Sequence, residues 1–250
     1  MVIGQQSTFI LERVRAAMRI GKFLQKFLLF TLALFFAVSL LIKVTKFHNY
    51  FGIKRADTEV KVVALTYDDG PSPSTNQLLD ILDRYQVKAT FFEIGRNIEK
   101  HPEIVPMIFA RGHELANHSY SHTDMMFKPR EFLLSEIEKT DKLLQELGVK
   151  QDSISFRPPF GRRCVVLSYL LFQMQKKLIM WDVAPQDYDN TLTAEDIANR
   201  VIDNVRSGSI VLMHDGGGAQ SKTLAATEAI VKTLQSKGYA FKTVSELLKK

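Results

Sequence analysis

The chain has 250 residues, an apolar content of 46% and a formal net charge of +6, which allows one large domain and an additional segment. Residues 1–55 contain nine basic residues and one acid, Glu12, so they carry a net charge of +8 and the rest of the chain carries −2. A nearly neutral domain gives no support to nucleic-acid binding. Cys164 is the only cysteine, which excludes an intrachain disulfide and a cysteine-rich metal site.

Residues 27–42 form an uncharged, mostly apolar run, FLLFTLALFFAVSLLI. As a helix the run measures about 24 Å, and the ammonium groups of Lys26 and Lys43 can extend to the membrane interfaces. More basic residues precede the run than follow it, which predicts a cytoplasmic N-terminus and an external domain. We therefore predict a basic cytoplasmic segment at 1–26 and an uncleaved transmembrane anchor at 27–43. The alternatives are a signal peptide cleaved near FAVS, which would give a secreted protein, and a buried core helix.

A polar tether is predicted at 44–60 and a folded domain at 61–250. Apolar runs predict strands at 60–67, 88–94, 154–156, 177–182, 209–214 and 239–242, with the short apolar run HELA between the second and third of these. Helical spacing predicts helices at 74–85, 101–112, 129–147, 163–175, 193–206 and 222–237, followed by a final helical turn. Repeated strand–helix units favour a parallel sheet with external helices, and about seven strands favour a barrel over an open sheet.

Ionisable residues follow the ends of five of these apolar runs. They are Asp68 and Asp69 after the first strand, His118 and His122 after HELA, Arg157 after 154–156, Asp182 and Asp187 after 177–182, and His214 and Asp215 after 209–214. Catalytic groups of parallel α/β folds collect at the carboxyl ends of strands, so we expect these side chains to meet there.

The histidines suggest a metal site. His118 and His122 are four residues apart, so one helical turn or a tight loop brings both imidazoles to one side. With one carboxylate they form a three-ligand site with open positions, which suits Zn²⁺ in hydrolytic sites and also Co²⁺ or Mn²⁺. Each motif alone has a simpler interpretation, because such histidine pairs are mostly structural and Asp-Asp-Gly-Pro is usually a turn. Their joint occurrence at strand ends favours the metal.

Four motifs occur in a fixed order: TYDDGP (66–71), HSYSH (118–122), RPPFG (157–161) and LMH (212–214). Together they resemble the polysaccharide deacetylase family, the NodB-homology carbohydrate esterases, over about residues 61–247. The resemblance implies a distorted (β/α) barrel and metal-dependent removal of N- or O-acetyl groups from sugar polymers.

The resemblance also implies a role for each matching residue. Asp69, His118 and His122 would bind the metal, Asp68 would be the general base paired with Arg157, His214 would be the general acid oriented by Asp187, Leu212 would line the acetyl pocket, and the Phe160 N–H would bind the oxyanion. These roles suit the chemistry, because an amide is a poor electrophile and an amine is a poor leaving group.

One segment departs from the family pattern. The stretch WDVAPQDY (181–188) keeps Asp187, but Ala184 stands where an Asp is common and Tyr188 replaces a Trp. Tyr188 can still line the substrate pocket, and Trp181 is either a core residue or a substrate platform. Asp182 is an alternative carboxylate partner for the acid histidine. This departure leaves the exact substrate open.

The sequence thus predicts a membrane-anchored, extracellular, metal-dependent N-deacetylase of an N-acetylglucosamine polymer. Peptidoglycan is the first expectation, because the cell wall would adjoin the anchor. Chitooligosaccharide, poly-N-acetylglucosamine and O-acetylated xylan are alternative substrates. A non-catalytic protein that binds cell-wall glycan is the alternative from another functional class.

Overall fold

The computed structural model of the protein describes residues 3–44, 52–151, 153–217 and 220–249, in two compact units, Met1–His48 and Asn49–Lys250. The first unit contains the helix α1 (Ile3–Val44). Its segment Met18–Leu40 has a mean hydropathy of 2.0, and none of it is buried within the protein. By length and composition this segment could cross a membrane, a property that signal sequences share. It overlaps the predicted anchor at 27–43.

A parallel sheet forms the centre of the second unit. Its strands are β1 (Val62–Asp68), β2 (Thr90–Glu93), β3 (Glu114–Asn117), β4 (Ile210–His214) and β5 (Ala240–Phe241). The order is β3-β2-β1-β4, and β5 pairs with the first residues of β1. All these pairs are parallel, and the register places Asp68 opposite both Phe92 and His214. The carboxyl ends of the central strands therefore lie side by side.

Eight helices are described in the second unit. They are α2 (Thr75–Arg84), α3 (Gly95–Lys100), α4 (Ile104–Ala110), α5 (Arg130–Glu146), α6 (Val165–Gln173), α7 (Ala194–Ile202), α8 (Gln220–Ser236) and α9 (Val244–Leu247). Capping boxes at Thr193 and Thr243 begin α7 and α9. The predicted helix at 101–112 is present as the shorter α4, and α3 was not predicted. The α/β class and the parallel sheet are confirmed.

Both faces of the sheet are covered, so all seven residues of β1 are buried. Leu65 and its neighbours on one face belong to a large apolar cluster that includes side chains of α2, α7 and α8. Ala64 on the other face belongs to a smaller cluster with Phe92, Ala116 and Ile210. The strand that ends in Asp68 is therefore fixed from both sides.

The prediction of about seven strands is not confirmed, because the described residues form five. The segments predicted as strands at 154–156 and 177–182 contribute isolated parallel bridges instead, Phe156 with Leu178 among them. Two carbonyls in the second segment, those of Ile179 and Met180, accept hydrogen bonds from the Arg157 guanidinium at 3.3 and 3.2 Å. A side chain thus occupies backbone acceptors that a regular ladder would use.

Residues 53–56 pair with the domain, although they fall within the tether predicted at 44–60. The Ile53 N–H donates to the Leu178 carbonyl at 2.8 Å, and the Ala56 N–H donates to the Gly208 carbonyl at 2.8 Å. In the structure the folded unit therefore begins before Lys61. Residues 45–51 of the predicted tether lie outside the described residues.

Candidate active site

The carboxyl ends of β1 and β3 bring the three predicted metal ligands together. One carboxylate or imidazole atom from each of Asp69, His118 and His122 lies within 4.8 Å of the other two. Asp69 Oδ1 is 3.5 Å from His118 Nε2 and 3.2 Å from His122 Nε2. The spacing of four residues in HSYSH therefore converges through a loop and not through a helical turn.

The hydrogen bonds of His118 fix which ring nitrogen faces Asp69. His118 Nδ1 lies 2.8 Å from the Arg157 carbonyl oxygen, which can only accept. Nδ1 therefore carries the proton, and the Nε2 lone pair points toward the carboxylate. Burial and the charge of His122 together lower the pKa of His118 more than the charges of Asp68 and Asp69 and the hydrogen bond to Arg157 raise it. The imidazole is thus neutral, as a metal ligand must be.

An unpartnered oxygen shows that this cluster fits a divalent cation. Asp69 Oδ1 is buried and has no hydrogen-bond partner among the described residues, which is costly for a carboxylate oxygen unless a cation is bound there. Burial raises the pKa of Asp69, but the imidazoles of His122 and His118 lower it by more than burial raises it. The net shift of the pKa is therefore downward. Two imidazole nitrogens and one ionised carboxylate are a donor set of zinc sites with open positions.

The side chain of Asp68 is held in place by buried groups of the core. It is 2% exposed and Arg157 is 0% exposed, and Arg157 Nη1 donates to Asp68 Oδ1 at 2.5 Å. The same nitrogen donates to Thr66 Oγ1 at 2.8 Å, and the guanidinium carbon lies 3.9 Å from the centre of the Phe92 ring. The other oxygen, Asp68 Oδ2, is 3.6 Å from His118 Nε2. One carboxylate oxygen is therefore fixed, and the other lies beside the metal ligands.

His214 occupies the neighbouring strand end. Its Nδ1 lies 2.8 Å from Asp187 Oδ1, and its backbone N–H donates to Asp187 Oδ2 at 2.8 Å. Thr223 Oγ1 also donates to Asp187 Oδ2, at 2.9 Å. Burial lowers the pKa of His214, but the hydrogen bond and charge of Asp187 outweigh it and raise the pKa to about 9. The ring is therefore protonated at neutral pH.

These groups open into one cavity of about 640 Å³. Its walls include Phe160, Trp181, Tyr188 and Leu212, the four side chains predicted to contact substrate. Phe160 and Tyr188 are 62% and 58% exposed. Their rings lie 4.7 Å from His122 and 5.6 Å from His214, respectively. Trp181 lines the cavity and also packs against two apolar clusters, and its role as a substrate platform stays a prediction.

Several residues at this cavity have left-handed backbone conformations. The φ angles are 73° at Asp69, 55° at His122, 59° at Phe160 and 61° at Gln186. Non-glycine residues in this region cost about 1–3 kcal/mol each and need support from their surroundings. His122 receives it from a hydrogen bond between its N–H and Ser119 Oγ at 3.0 Å, and the Asp69 carbonyl accepts from Asn97 at 2.8 Å.

The loops after β1 and β4 touch through their backbones. A Cβ at Gly216 would lie 1.9 Å from the Asp69 carbonyl oxygen, and one at Gly70 would lie 2.4 Å from Asp215 Oδ2. The N–H groups of Asp215 and Gly216 both donate to the Asp68 carbonyl, at 3.0 and 3.3 Å. The distance between the predicted base and the predicted acid is therefore fixed by direct backbone contact.

Two relevant residues were missed by the sequence reasoning. Thr223 supports Asp187 from α8, and a single threonine in a helix gives no signal of such a role. Glu93 ends β2, is fully buried, and neither of its carboxylate oxygens has a hydrogen-bond partner among the described residues. Burial, followed by the charges of Asp215 and Asp68, raises its pKa well above the usual range. The strand-end rule that selected Asp68 also applies to Glu93.

All eleven residues predicted for the site border the cavity or bond to residues that do. Asp182 is not the partner of His214, so that alternative is wrong. Its carboxylate accepts from the Ile210 N–H at 2.9 Å and from Ser209 Oγ at 3.0 Å, at the other end of β4. Asp187 is the carboxylate that contacts the histidine.

A parallel α/β domain with a histidine–aspartate cluster that could hold a metal ion, a buried aspartate and an aspartate-bound histidine has the groups that a metal-dependent hydrolase uses. Residues 55–177 match the family model described as polysaccharide deacetylase. Over 196 residues the chain is 38% identical to a peptidoglycan-N-acetylglucosamine deacetylase of Bacillus cereus, covering 76% of this chain and 89% of the relative. The chain therefore belongs to the polysaccharide deacetylase family.

Solved structures agree with this assignment. A peptidoglycan N-acetylglucosamine deacetylase in complex with 4-naphthalen-1-yl-N-oxidanyl-benzamide has a TM-score of 0.76 and 32% identity, with 80% of this chain and 94% of that chain covered. Wild-type BA3943 of Bacillus anthracis, described as a pseudoenzyme of carbohydrate esterase family 4, has a TM-score of 0.73 and 28% identity, with 79% and 69% covered. The fold alone thus does not guarantee catalysis, and the site must be argued from its residues.

Proposed function

We propose that this chain is a metal-dependent hydrolase that removes N-acetyl groups from N-acetylglucosamine-containing polysaccharide, with peptidoglycan as its substrate. The observation that carries the proposal is the complete set of groups around one cavity: three metal ligands, a buried aspartate with its arginine, and a histidine with its aspartate. Zn²⁺ is the expected cation, and Co²⁺ or Mn²⁺ also suits the donors. When bound, such a cation polarises the acetyl carbonyl and activates water.

Asp68 is the proposed general base. The attacking water adds its oxygen to the acetyl carbon, and its proton passes to the carboxylate oxygen of Asp68 that Arg157 does not hold. Arg157 cannot accept a proton at neutral pH, so its contact with Oδ1 orients the carboxylate and supplies a fixed counter-charge. The negative charge that develops on the acetyl oxygen is placed near the Phe160 N–H, which we propose as an additional donor.

His214 is the proposed general acid. The carbon–nitrogen bond breaks as the leaving nitrogen takes a proton from the His214 ring, and the products are acetate and a glucosamine amine. The raised pKa of about 9 ensures that the proton is present at neutral pH. Asp187 holds Nδ1, so the nitrogen that delivers the proton is Nε2.

The acetyl methyl group requires an apolar surface near these groups. Leu212 borders the cavity and is only 7% exposed, so it forms part of the inner wall of the cavity and not of its exposed edge. Phe160 and Tyr188 stand exposed beside it, and planar aromatic side chains suit the apolar faces of pyranose rings. Ala184 also lines the cavity, where the family often has an aspartate, and leaves additional room. These residues are where we propose that substrate choice is made.

We propose further that α1 is an uncleaved anchor that holds the domain outside the cell, beside the wall polymer. The length and hydropathy of Met18–Leu40 support this placement. For the fold, we propose a closed, distorted barrel. It is supported by parallel bridges that continue from β3 through Phe156 and Leu178 and return to β4 through Val183.

The experiment is acetate release by the purified full chain, stripped of metal and reloaded with Zn²⁺, Co²⁺ or Mn²⁺. Peptidoglycan, chitooligosaccharides, poly-N-acetylglucosamine and acetylated xylan are compared. Asp68→Asn is expected to lower kcat by about 10³-fold while metal binding is retained. The matched control is Asp203→Asn, which changes an exposed aspartate on the surface. It is expected to behave as wild type.

The outcomes separate the functional classes. Release from peptidoglycan alone supports the proposed substrate, and release only from chitooligosaccharides or xylan replaces that substrate while keeping the deacetylase. Wild type and Asp68→Asn that bind every glycan but release no acetate with any metal would identify a non-catalytic glycan-binding protein. Recovery of the protein in the medium as a chain that begins after about residue 40 would contradict the anchor.

A further inference from the structure

The outer face of α6 is apolar although it is exposed. Val165, Val166 and Tyr169 are 74%, 48% and 53% exposed, and their spacing places them on one side of the helix. The opposite side packs into an apolar cluster through Leu167, Leu170 and Leu171. A surface helix of a soluble domain normally turns polar side chains outward, so this face is a candidate contact surface.

An exposed aromatic side chain lies in the neighbouring loop. Phe127 is 90% exposed, and the exposed Lys128 follows it. The loop is held near α6 at two points: Met125 is buried in the cluster that α6 packs into, and Asp124 Oδ2 accepts from Arg162 Nη1 at 2.5 Å. We define the α6 patch as Phe127, Val165, Val166 and Tyr169.

Basic side chains flank α6 along the chain. Residues 158–181 contain four basic side chains and no acidic one. Arg163 and Lys177 flank the two ends of α6, whereas Arg162 and Lys176 form ion pairs with aspartates. Apolar side chains bordered by cations match the surface of a bilayer with anionic lipids. The apolar side chains can insert among the acyl chains, and the cations can bind the anionic headgroups. A second protein would need a complementary acidic rim.

The described part of the domain begins beside α6. The Ile53 N–H donates to the Leu178 carbonyl, and Leu178 and Met180 are buried in the same cluster as the inner side of α6. The first described residues of the second unit therefore lie on the side of that unit that carries α6.

We propose that the α6 patch contacts the surface of a lipid bilayer that contains anionic headgroups. The inference rests on the proposed anchoring through α1 and goes beyond it, because it gives the domain a second membrane contact. α6 begins four residues after Gly161, which lines the cavity. A patch held at the bilayer would therefore orient the cavity relative to the membrane, and it would limit which part of the wall polymer reaches the site.

The test uses the full chain in vesicles of phosphatidylcholine and phosphatidylglycerol. A spin label is attached at position 169 through Tyr169→Cys, in a chain that also carries Cys164→Ser. The matched control label is attached through Ser236→Cys, at the exposed end of α8, which packs against α7 and α2. Power saturation compares collisions with oxygen, which concentrates in lipid, and with a nickel chelate, which stays in water. We expect a several-fold higher oxygen-to-nickel ratio at 169 than at 236.

Charge reversal then tests the cations. Arg163→Glu is expected to lower the ratio at position 169, and Lys232→Glu, which reverses an exposed lysine of α8, is expected to leave it unchanged. A label at 169 that is as accessible to nickel as the label at 236 would overturn the proposal. So would dipolar broadening between labels at 169, which would identify a second copy of the chain as the occupant.

The same vesicles separate this proposal from the proposed function. Acetate release from soluble N-acetylglucosamine oligomers is measured in the same samples as the accessibility of the spin label. The variants at 163 and 169 are expected to retain acetate release. Loss of the lipid contact with hydrolysis intact overturns only the α6 patch. Absence of hydrolysis with the lipid contact intact overturns only the proposed deacetylase. If the chains bound to the vesicles were found to lack α1, the anchoring on which the patch rests would be overturned.

Discussion

The two halves of the site are built differently. The base half, with Asp68 and Arg157, is buried in the core, where the guanidinium bonds to two side chains and two carbonyls. The acid half borders the open cavity, where the side chain of His214 is 18% exposed and bonds to one side chain among the described residues, that of Asp187. The base half therefore couples catalysis to folding, whereas the acid half can be altered without unfolding the domain.

The largest effect is expected from a substitution that disrupts the base half. Arg157→Met removes a fully buried cation and leaves the Asp68 carboxylate unpaired in the core. Loss of one partner from a buried ion pair costs about 3–5 kcal/mol. We expect that loss in the free energy of unfolding, measured in denaturant, together with loss of acetate release. Arg206→Met is the control, because Arg206 is exposed and its nearest carboxylate lies 3.6 Å away. Equal stabilities of the two variants would contradict the coupling of catalysis to folding.

The second prediction alters the acid half through pH. His214 must be protonated to act as an acid, and its pKa of about 9 means that activity falls as pH rises through that value. In Asp187→Asn the hydrogen bond and charge of Asp187 no longer oppose burial, and only the charges of Asp68 and Asp69 still raise the pKa of His214, so the alkaline limb of kcat should move to lower pH.

The measurement is the pH profile of acetate release between pH 5 and 10, with unfolding followed in parallel. Asp187→Asn is expected to lose at least about tenfold in kcat at pH 8 while the domain stays folded. Asp203→Asn should retain the wild-type limb. An unchanged limb in Asp187→Asn would remove His214 from the role of acid.

A smaller effect separates positioning from packing on α8. Thr223→Val removes a hydrogen bond to Asp187, and Thr227→Val removes the one to the Tyr67 hydroxyl at 3.1 Å. Each bond contributes about 1 kcal/mol. We expect Thr223→Val to lower kcat about fivefold and to shift the alkaline limb to lower pH. Thr227→Val should change only the free energy of unfolding. If both variants had the same pH profile as wild type, Thr223 would have a packing role alone.

The last prediction concerns a buried acid near the base half. Because burial raises the pKa of Glu93, the folded protein retains a proton that the unfolded chain releases above its ordinary pKa. Stability conferred by the neutral form is therefore complete below that ordinary pKa and is lost as pH rises toward the folded pKa, by about 1.4 kcal/mol per pH unit. Glu93→Gln keeps the shape and removes this slope. Denaturant unfolding at pH 5 to 8 should show the variant gaining stability relative to wild type as pH rises, and parallel curves would show an ionised Glu93.

The site residues at the strand ends could be predicted from the sequence, whereas the residues that hold them in position could not. Asp69, His118 and His122 stand directly after apolar runs, and parallel strands bring such positions together whatever the loops do. The contact of Thr223 with Asp187 depends on how α8 lies over β4, which no local pattern encodes. The predicted strands at 154–156 and 177–182 are reduced to bridges such as that of Phe156 with Leu178, because the next ladder donor would be Pro158, which has no N–H.

Boundaries were less predictable for a related reason. Ile53 and Ala56 lie in a polar stretch, and only their hydrogen bonds with Leu178 and Gly208 make them part of the domain. α3 begins at Gly95 with no side-chain cap, so it had no start signal. The left-handed conformations of Asp69 and Phe160 also have no sequence signature, since they are imposed by the packing around the cavity.

The contact between Gly216 and the Asp69 carbonyl has a consequence for protein engineering. At Gly216 the loops after β1 and β4 meet through their backbones, and at Gly70 the Asp215 carboxylate fills the space between them, so neither loop can change its path while the other stays in place. Exchanging the β4 loop with that of a relative would misalign acid and base unless the β1 loop were transferred with it. Recombination libraries built from this family should therefore treat the two loops as one inherited module, although nearly 150 residues separate them in the chain.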